Sequence, residues 1–186
     1  MMHRTEALET IVAHLGDDSC LISPLGYITR DLFALTSNLR ERCFYCMGSM
    51  GSVVPLALGV ALARPSMRVF AIEGDGSLLM NLGGLATLHR YARGNVSLLV
   101  FDNRCYESTG GQRSQPNDLK LEEVCWAAGL NTFVANDTDH LEDFMRNRDR
   151  NGVIVVKVDL SPPARRVDEE PQLIADRFAT WLQTTF

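Results

Sequence analysis

At 186 residues the chain has the length of one domain with a substantial buried core, and its 46% apolar and 22% charged content is that of a globular protein. A net charge of −5, with no Lys/Arg run beyond Arg165-Arg166, argues against a nucleic-acid surface. The longest apolar stretch, Val53 to Ala63, is too short to cross a bilayer, and Glu6 and Glu9 do not suit a secretory leader, so a cytoplasmic protein without a membrane segment is expected.

In chain order, Met2 to Leu15 has helical spacing, with Ala7, Leu8, Ile11, Val12 and Leu15 on one side. Cys20 to Ser23 reads as a strand, Arg30 to Ser37 as a short helix and Cys43 to Met47 as the next strand. Gly51 to Ala63 is an apolar helix closed by Arg64-Pro65. Arg68 to Glu73 is a buried strand, Leu78 to Ala92 a helix, and Val96 to Phe101 a second buried strand. An extended loop, Asn103 to Asp118, leads to a helix over Leu119 to Ala128. Then come a short strand Thr132 to Ala135, a helix Asp139 to Asn147, and a β-branched strand Val153 to Val158. Ser161-Pro162-Pro163 ends that strand, Arg165 to Glu170 is a polar linker, and Pro171 suits the first turn of a last helix. Its stripe of Ile174, Phe178, Trp181 and Leu182 is expected to pack on the chain's own sheet. Strands alternating with helices imply an α/β fold: a doubly wound, mostly parallel sheet with helices on both faces. One domain over 1–186 is expected, with 161–186 forming the linker and C-terminal helix.

The chemistry-bearing motif is Gly74-Asp75-Gly76 at one strand end, with Asn103 at the end of the next strand. Asp75 offers a hard carboxylate oxygen and Asn103 an amide oxygen, ligand types that suit Mg²⁺. Gly76 permits close approach to a phosphate, and Ser77 adds a hydroxyl at the start of a helix. Gly48-Ser49-Met50-Gly51 also follows a strand, so one crevice at the carboxyl edge of the sheet can collect all three segments. A nicotinamide site is disfavoured, because Leu79 stands where GxGxxG needs its third glycine. Cys43-Phe-Tyr-Cys46 is formally a CxxC, but it lies in an apolar run and lacks a second pair, so buried thiols are expected. His3, His14, His89 and His140 all fall on helices away from the motif loops.

Gly74-Asp75-Gly76 with Asn103 resembles the signature of the thiamine-diphosphate enzymes, in particular their diphosphate-binding domain. Gly48 to Gly51, Gly74 to Thr87 and Glu107-Ser-Thr-Gly-Gly-Gln112 narrow the likeness to the sulfopyruvate and phosphonopyruvate decarboxylases, over most of Cys20 to Leu160. The resemblance implies Mg²⁺ held by the side chains of Asp75 and Asn103 and the main-chain carbonyl of Cys105. It implies diphosphate contacts from Gly76, Ser77 and main-chain N–H groups around Tyr106, with Gly26 and Tyr27 nearby. The Gly48 carbonyl would accept a hydrogen bond from the aminopyrimidine, Ser49 beside it would also bind the cofactor, and Met50 would prop the cofactor in its bent form. Pro24-Leu25 departs from the hydroxyl-rich pattern of the family.

These enzymes activate the cofactor with a glutamate from a separate pyrimidine-binding domain, for which neither the stretch before Cys20 nor the stretch after Leu160 provides. The chain is therefore expected to be one subunit of a split 2-oxo acid decarboxylase, with the catalytic glutamate in a pyrimidine-binding partner and no catalytic residue of its own. Ser108, Thr109, Gln112 and Arg113 are candidates to meet a substrate sulfonate or phosphonate. Two alternatives stand beside this reading. One is half of another split enzyme, acetolactate-synthase-like, transketolase-like or a 2-oxo acid oxidoreductase; against the first, Gly83-Gly84-Leu85 lacks the acidic residue many of those relatives carry, and against the last the cysteines lack iron–sulfur spacing. The other is a non-catalytic, degenerate binding module, against which the intact Asp75 and Asn103 count.

Overall fold

The structure, a computed structural model, describes residues 1–147 and 152–185. A two-residue strand β1 (Met2–His3) runs directly into helix α1 (Arg4–Ala13). Periodicity alone placed Met2 and His3 in the helix. They pair instead with Val158 and Asp159, and His3 caps the helix, its backbone N–H donating to Glu6 Oε2 at 3.0 Å. The chain continues through β2 (Ser19–Ser23), α2 (Tyr27–Leu35), a 3-10 turn (Arg40–Arg42), β3 (Cys43–Tyr45), α3 (Val53–Ala63) and β4 (Arg68–Gly74). Then come α4 (Asp75–Leu79), α5 (Gly83–Tyr91) and β5 (Val96–Asp102). A small hairpin of β6 (Cys105–Tyr106) and β7 (Gln112–Arg113) encloses a 3-10 turn (Glu107–Thr109). The chain ends in α6 (Leu121–Ala127), β8 (Thr132–Ala135), α7 (Thr138–Arg146), β9 (Gly152–Asp159) and α8 (Pro171–Thr184).

The main sheet is parallel throughout, in the order β1-β9-β5-β4-β2-β3, with β8 also on β9. Its central strands are buried on both faces, as continuous apolar runs such as Val96–Asp102 require. Alternate residues divide between two cores. Leu98, Val100, Val153 and Val155 join α3, α5 and α6 on one face; Leu99, Phe101, Ile154 and Val156 join α1, α2 and α7 on the other. This is the doubly wound α/β arrangement. The connection from β2 leads outward to β3, whereas that from β4 leads the opposite way to β5. Strand order thus reverses between β2 and β4, and a crevice opens beyond their carboxyl ends.

Two further segments differ from their sequence reading. The helix expected over Leu78 to Ala92 is broken at Met80–Leu82, where Asn81 Nδ2 donates to the Gly51 carbonyl at 2.8 Å. The loop after Asn103 is folded back as the β6/β7 hairpin, closed by Gly110 and Gly111 at φ of 123° and 74°. The last helix packs on the chain's own sheet, as expected: Ile174 and Phe178 are buried, and Phe178 meets Phe44 with ring centroids 5.5 Å apart. Residues 161–170 carry no regular structure, and Phe186 lies outside the described residues. Cys43 and Cys46 are buried, and burial pushes their thiols up to about 11 and about 12, so both stay protonated as small hydrophobes. No helix among the described residues is long and apolar enough to cross a membrane.

Candidate functional site

At the switch point the β2–α2 turn faces the β4–α4 turn across a cavity of about 130 Å³. Gly26 forms the first wall at φ +90°, a conformation that L side chains rarely adopt, and exposes the start of α2 to the cavity. Gly74, Asp75, Gly76 and Ser77 form the facing wall, and the β5–β6 segment contributes Asn103, Cys105 and Tyr106. Arg104 is the only non-glycine residue with positive φ among those described (62°), and its guanidinium holds the Pro116 and Asn117 carbonyls. That turn brings Cys105 and Tyr106 back over the crevice. A Cβ on Gly76 would lie 2.2 Å from Cε1 of Tyr106, so only glycine lets the Tyr106 ring close onto the floor.

Two carboxylates end neighbouring strands. Asp102, at the end of β5, is buried and neutralised: Lys157 Nζ lies 2.8 Å from its Oδ2, and Gln115 Nε2 donates to Oδ1 at 2.8 Å. Asp75, only 4% exposed, has no cation among the described residues. It accepts from Ser114 Oγ at 2.6 Å and from the Gly76 N–H at 2.8 Å, and burial raises its pKa above the ordinary carboxylate value. A buried carboxylate served by neutral donors alone carries an unmet electrostatic demand that a bound cation would satisfy. Asn103 lines the same cavity, its Oδ1 accepting from the Cys105 N–H at 3.1 Å. No group of three His, Cys, Asp or Glu among the described residues is arranged for a metal. The donors here are instead one carboxylate and one amide, with Cys105 lining the same cavity, and such oxygen donors fit a hard ion such as Mg²⁺.

A buried ionic cluster, not visible in the sequence, frames Asn103. Arg4, 1% exposed, donates from Nε to Asp31 at 2.8 Å, from Nη1 to Glu107 at 2.5 Å and from Nη2 to the Ser161 carbonyl at 2.7 Å. Glu107 accepts in turn from Asn103 Nδ2 at 3.1 Å and from the Ser161 N–H at 3.0 Å. By taking the amide's N–H, Glu107 fixes which end of Asn103 is the oxygen. It orients a candidate metal ligand without being one.

The Gly48–Gly51 turn borders the crevice from the β3 side. Met50 lines the cavity, and the Gly51 N–H donates to Ser77 Oγ at 2.9 Å, tying this turn to α4. Under it lies Glu73, fully buried, its Oε1 accepting from the Gly74 N–H at 3.2 Å and its Oε2 without a partner. Burial pushes this carboxyl up to about 7.

Of the residues singled out in the sequence, Met50, Asp75, Gly76, Ser77, Asn103, Cys105 and Tyr106 meet in one cavity, with Gly26, Tyr27, Ser108 and Thr109. Ser49 is exposed and bonded to Ser52, while Gly48 borders an adjoining cavity. Gln112 and Arg113 lie outside on the exposed hairpin strand, Arg113 bonded to Asn117. His89 is exposed and packs near Gly129, far from the motif. Sequence reasoning missed Arg4, Asp31 and Ser114, and it read Glu107 only as part of a motif.

Residues 26–158 match the family model described as the thiamine pyrophosphate enzyme C-terminal TPP binding domain. The chain is 34% identical over 181 residues to the sulfopyruvate decarboxylase subunit beta of Methanothermobacter thermautotrophicus, covering 96% of this chain and 94% of that subunit. It is 36% identical over 187 residues to the phosphonopyruvate decarboxylase of Streptomyces viridochromogenes, covering 97% of this chain but 46% of that longer protein. Among solved structures, an enzyme of Mycobacterium smegmatis provisionally described as thiamin diphosphate-dependent superposes with a TM-score of 0.72 at 23% identity, over 87% of this chain and 32% of its own. That last likeness concerns the fold.

Proposed function

The chain belongs to the thiamine pyrophosphate enzymes, and from that premise we propose that it is the diphosphate-binding subunit of a heteromeric decarboxylase of an anionic 2-oxo acid, sulfopyruvate or phosphonopyruvate. The observation that supports it most is Asp75, a buried carboxylate without a cation beside Asn103 at the strand-order switch. Asp75 and Asn103 would hold Mg²⁺ by their side chains, and Cys105 by its carbonyl. Gly76, Ser77 and the N–H groups around Tyr106 would hold the diphosphate, with Gly48, Ser49 and Met50 at the aminopyrimidine end. When bound, thiamine diphosphate supplies the electron sink that 2-oxo acid decarboxylation needs. The chain's own residues anchor, orient and exclude water: Tyr106 covers the Gly76 floor, Glu107 orients Asn103, and Ser77 and Asn81 hold the Gly51 turn against α4.

A pyrimidine-binding partner is part of the proposal. Its support is the exposed apolar rim of Met47, Met80 and Leu82, which flanks the Gly48–Gly51 turn where the crevice is open. The relative named as a beta subunit adds to this. A cytoplasmic location is likewise proposed, in keeping with five cysteines that are all unbridged.

The test is CO₂ release from sulfopyruvate and phosphonopyruvate, with Mg²⁺ and thiamine diphosphate, by the chain alone and mixed with a pyrimidine-binding subunit. No turnover alone and turnover on mixing are expected. Robust turnover by the chain alone would refute the split-subunit reading.

A further inference from the structure

Several arginines of this molecule are spoken for: Arg42 bonds to the Gly16 carbonyl, Arg64 to the Leu182 carbonyl and Arg177 to Glu169. Half-buried Arg30 and exposed Arg166 are not. Among the described residues neither guanidinium has a hydrogen-bond or ion-pair partner; that of Arg30 lies over the Tyr27 ring, 4.9 Å from its centroid. Both line a second cavity, of about 320 Å³, between the Gly26 turn and the Met47–Gly48 turn. Its wall includes Ser108 and no carboxylate.

This cavity adjoins the cofactor crevice, sharing Leu25, Gly26 and Ser108 with it. Two acids of the segments bordering the cavity, Asp31 and Glu107, are already engaged. Asp31 is bonded to Arg4 and to the Ala164 N–H, and Glu107 to Arg4, Asn103 and the Ser161 N–H. The same bonds pin residues 161 and 164 against the body, so Arg166 follows a fixed point of the chain. In a protein of net charge −5, two uncompensated guanidiniums around one cavity are a local reversal of sign.

We propose that this cavity is the subsite for the acidic tail of the substrate, with Arg30 and Arg166 as paired donors to a tetrahedral sulfonate or phosphonate and the Ser108 hydroxyl as a third donor. The inference rests on the proposed function and adds to it the residues that select an anionic 2-oxo acid. A guanidinium fork matches such an oxyanion with two parallel hydrogen bonds, and the half-buried position of Arg30 strengthens its bonds relative to water. The tail would lie on the Gly48 side of the crevice, apart from the Asp75 end assigned to metal and diphosphate.

The experiment uses the reconstituted enzyme with Arg30→Met, Arg166→Met, the double variant and the two Lys variants. It measures KM for sulfopyruvate and phosphonopyruvate, inhibition by phosphonoacetate, and calorimetric affinity for thiamine diphosphate with Mg²⁺. In the double variant KM for the anionic substrates should rise about 30-fold or more, and phosphonoacetate should cease to compete. Cofactor affinity should stay within about twofold, and the Lys variants should retain part of the effect. Unchanged KM and inhibition would overturn the subsite, as would a parallel fall in cofactor affinity, which would assign the arginines to the diphosphate. Failure of the functional reading shows separately, in the unsubstituted enzyme, as turnover of pyruvate but of neither anionic acid; that result removes the subsite as well.

Discussion

Asp75 and Asp102 differ in company more than in place, and the difference makes Asp75 testable. Removing a buried carboxylate that no cation compensates relieves a desolvation cost, so Asp75→Ala should leave the thermal midpoint unchanged or slightly raised. The same change should abolish Mg²⁺-dependent binding of thiamine diphosphate to the reconstituted enzyme, and Asn103→Ala should weaken it less, a neutral ligand contributing less to a divalent ion. Calorimetric titration decides, and unchanged affinity in Asp75→Ala would remove the metal assignment. Glu73 gives a pH prediction for the purified, metal-free chain. Its carboxyl is pushed up by burial to about 7 from an ordinary 4.5. Between those values the folded chain keeps a proton that the unfolded chain has lost, so this group's contribution to stability falls as pH rises through the window. Glu73→Gln, which stays neutral, should gain on the wild type by up to about 3 kcal/mol between pH 4 and pH 8. Parallel denaturation profiles at the two pH values would count against it. Asp75 and Asn103 were legible because a local motif carries them. Arg4 was not, because its partners Asp31, Glu107 and Ser161 are spread along the chain and no periodicity encodes the meeting. Glu73 was read as the last residue of a buried strand, which it nearly is; its unpartnered oxygen is visible only in three dimensions.

Among elements, the Gly48–Gly51 turn and α4 act as one unit, joined by Ser77 Oγ to the Gly51 N–H and by Asn81 to the Gly51 carbonyl. A Cβ on Gly51 would lie 2.8 Å from that of Asn81, so the two segments close at glycine contact. Met50 is thus carried on a braced turn, which suits a side chain that must prop a ligand. Met50→Ala should lower kcat by about tenfold or more while changing cofactor affinity little, because the diphosphate anchor remains; Met50→Leu should be mild. Small and equal effects from both would make Met50 ordinary packing. The strands and most helices were readable from apolar runs and 3.6-residue spacing. The break at Met80–Leu82 was passed over, although Asn81 and Gly83-Gly84 weaken the helix there; a tertiary bond from Asn81 to the Gly51 carbonyl accompanies it. The β6/β7 hairpin was hidden because its strands are two residues long and show no alternation.

For the whole molecule, alternation of elements announced a parallel sheet, but not the strand order, which depends on the direction of each crossover. The switch between β2 and β4, where the site lies, was therefore inferred from glycine motifs before it could be seen as topology. β1 was invisible as a strand, since two residues carry no pattern. Its pairing has a consequence for the nascent chain. Met2 and His3 are made well before their partners Val158 and Asp159, and Arg4 waits for the Ser161 carbonyl as well. At ordinary elongation rates that is a delay of roughly 10–30 s between the synthesis of the two halves of one strand pair. Throughout it, the apolar face of α1 has Arg4 at its head, a charge that is costly to bury until Asp31, Glu107 and Ser161 are all present. Premature docking of this segment is thereby penalised, and an early-made strand is locked only when its late partners arrive.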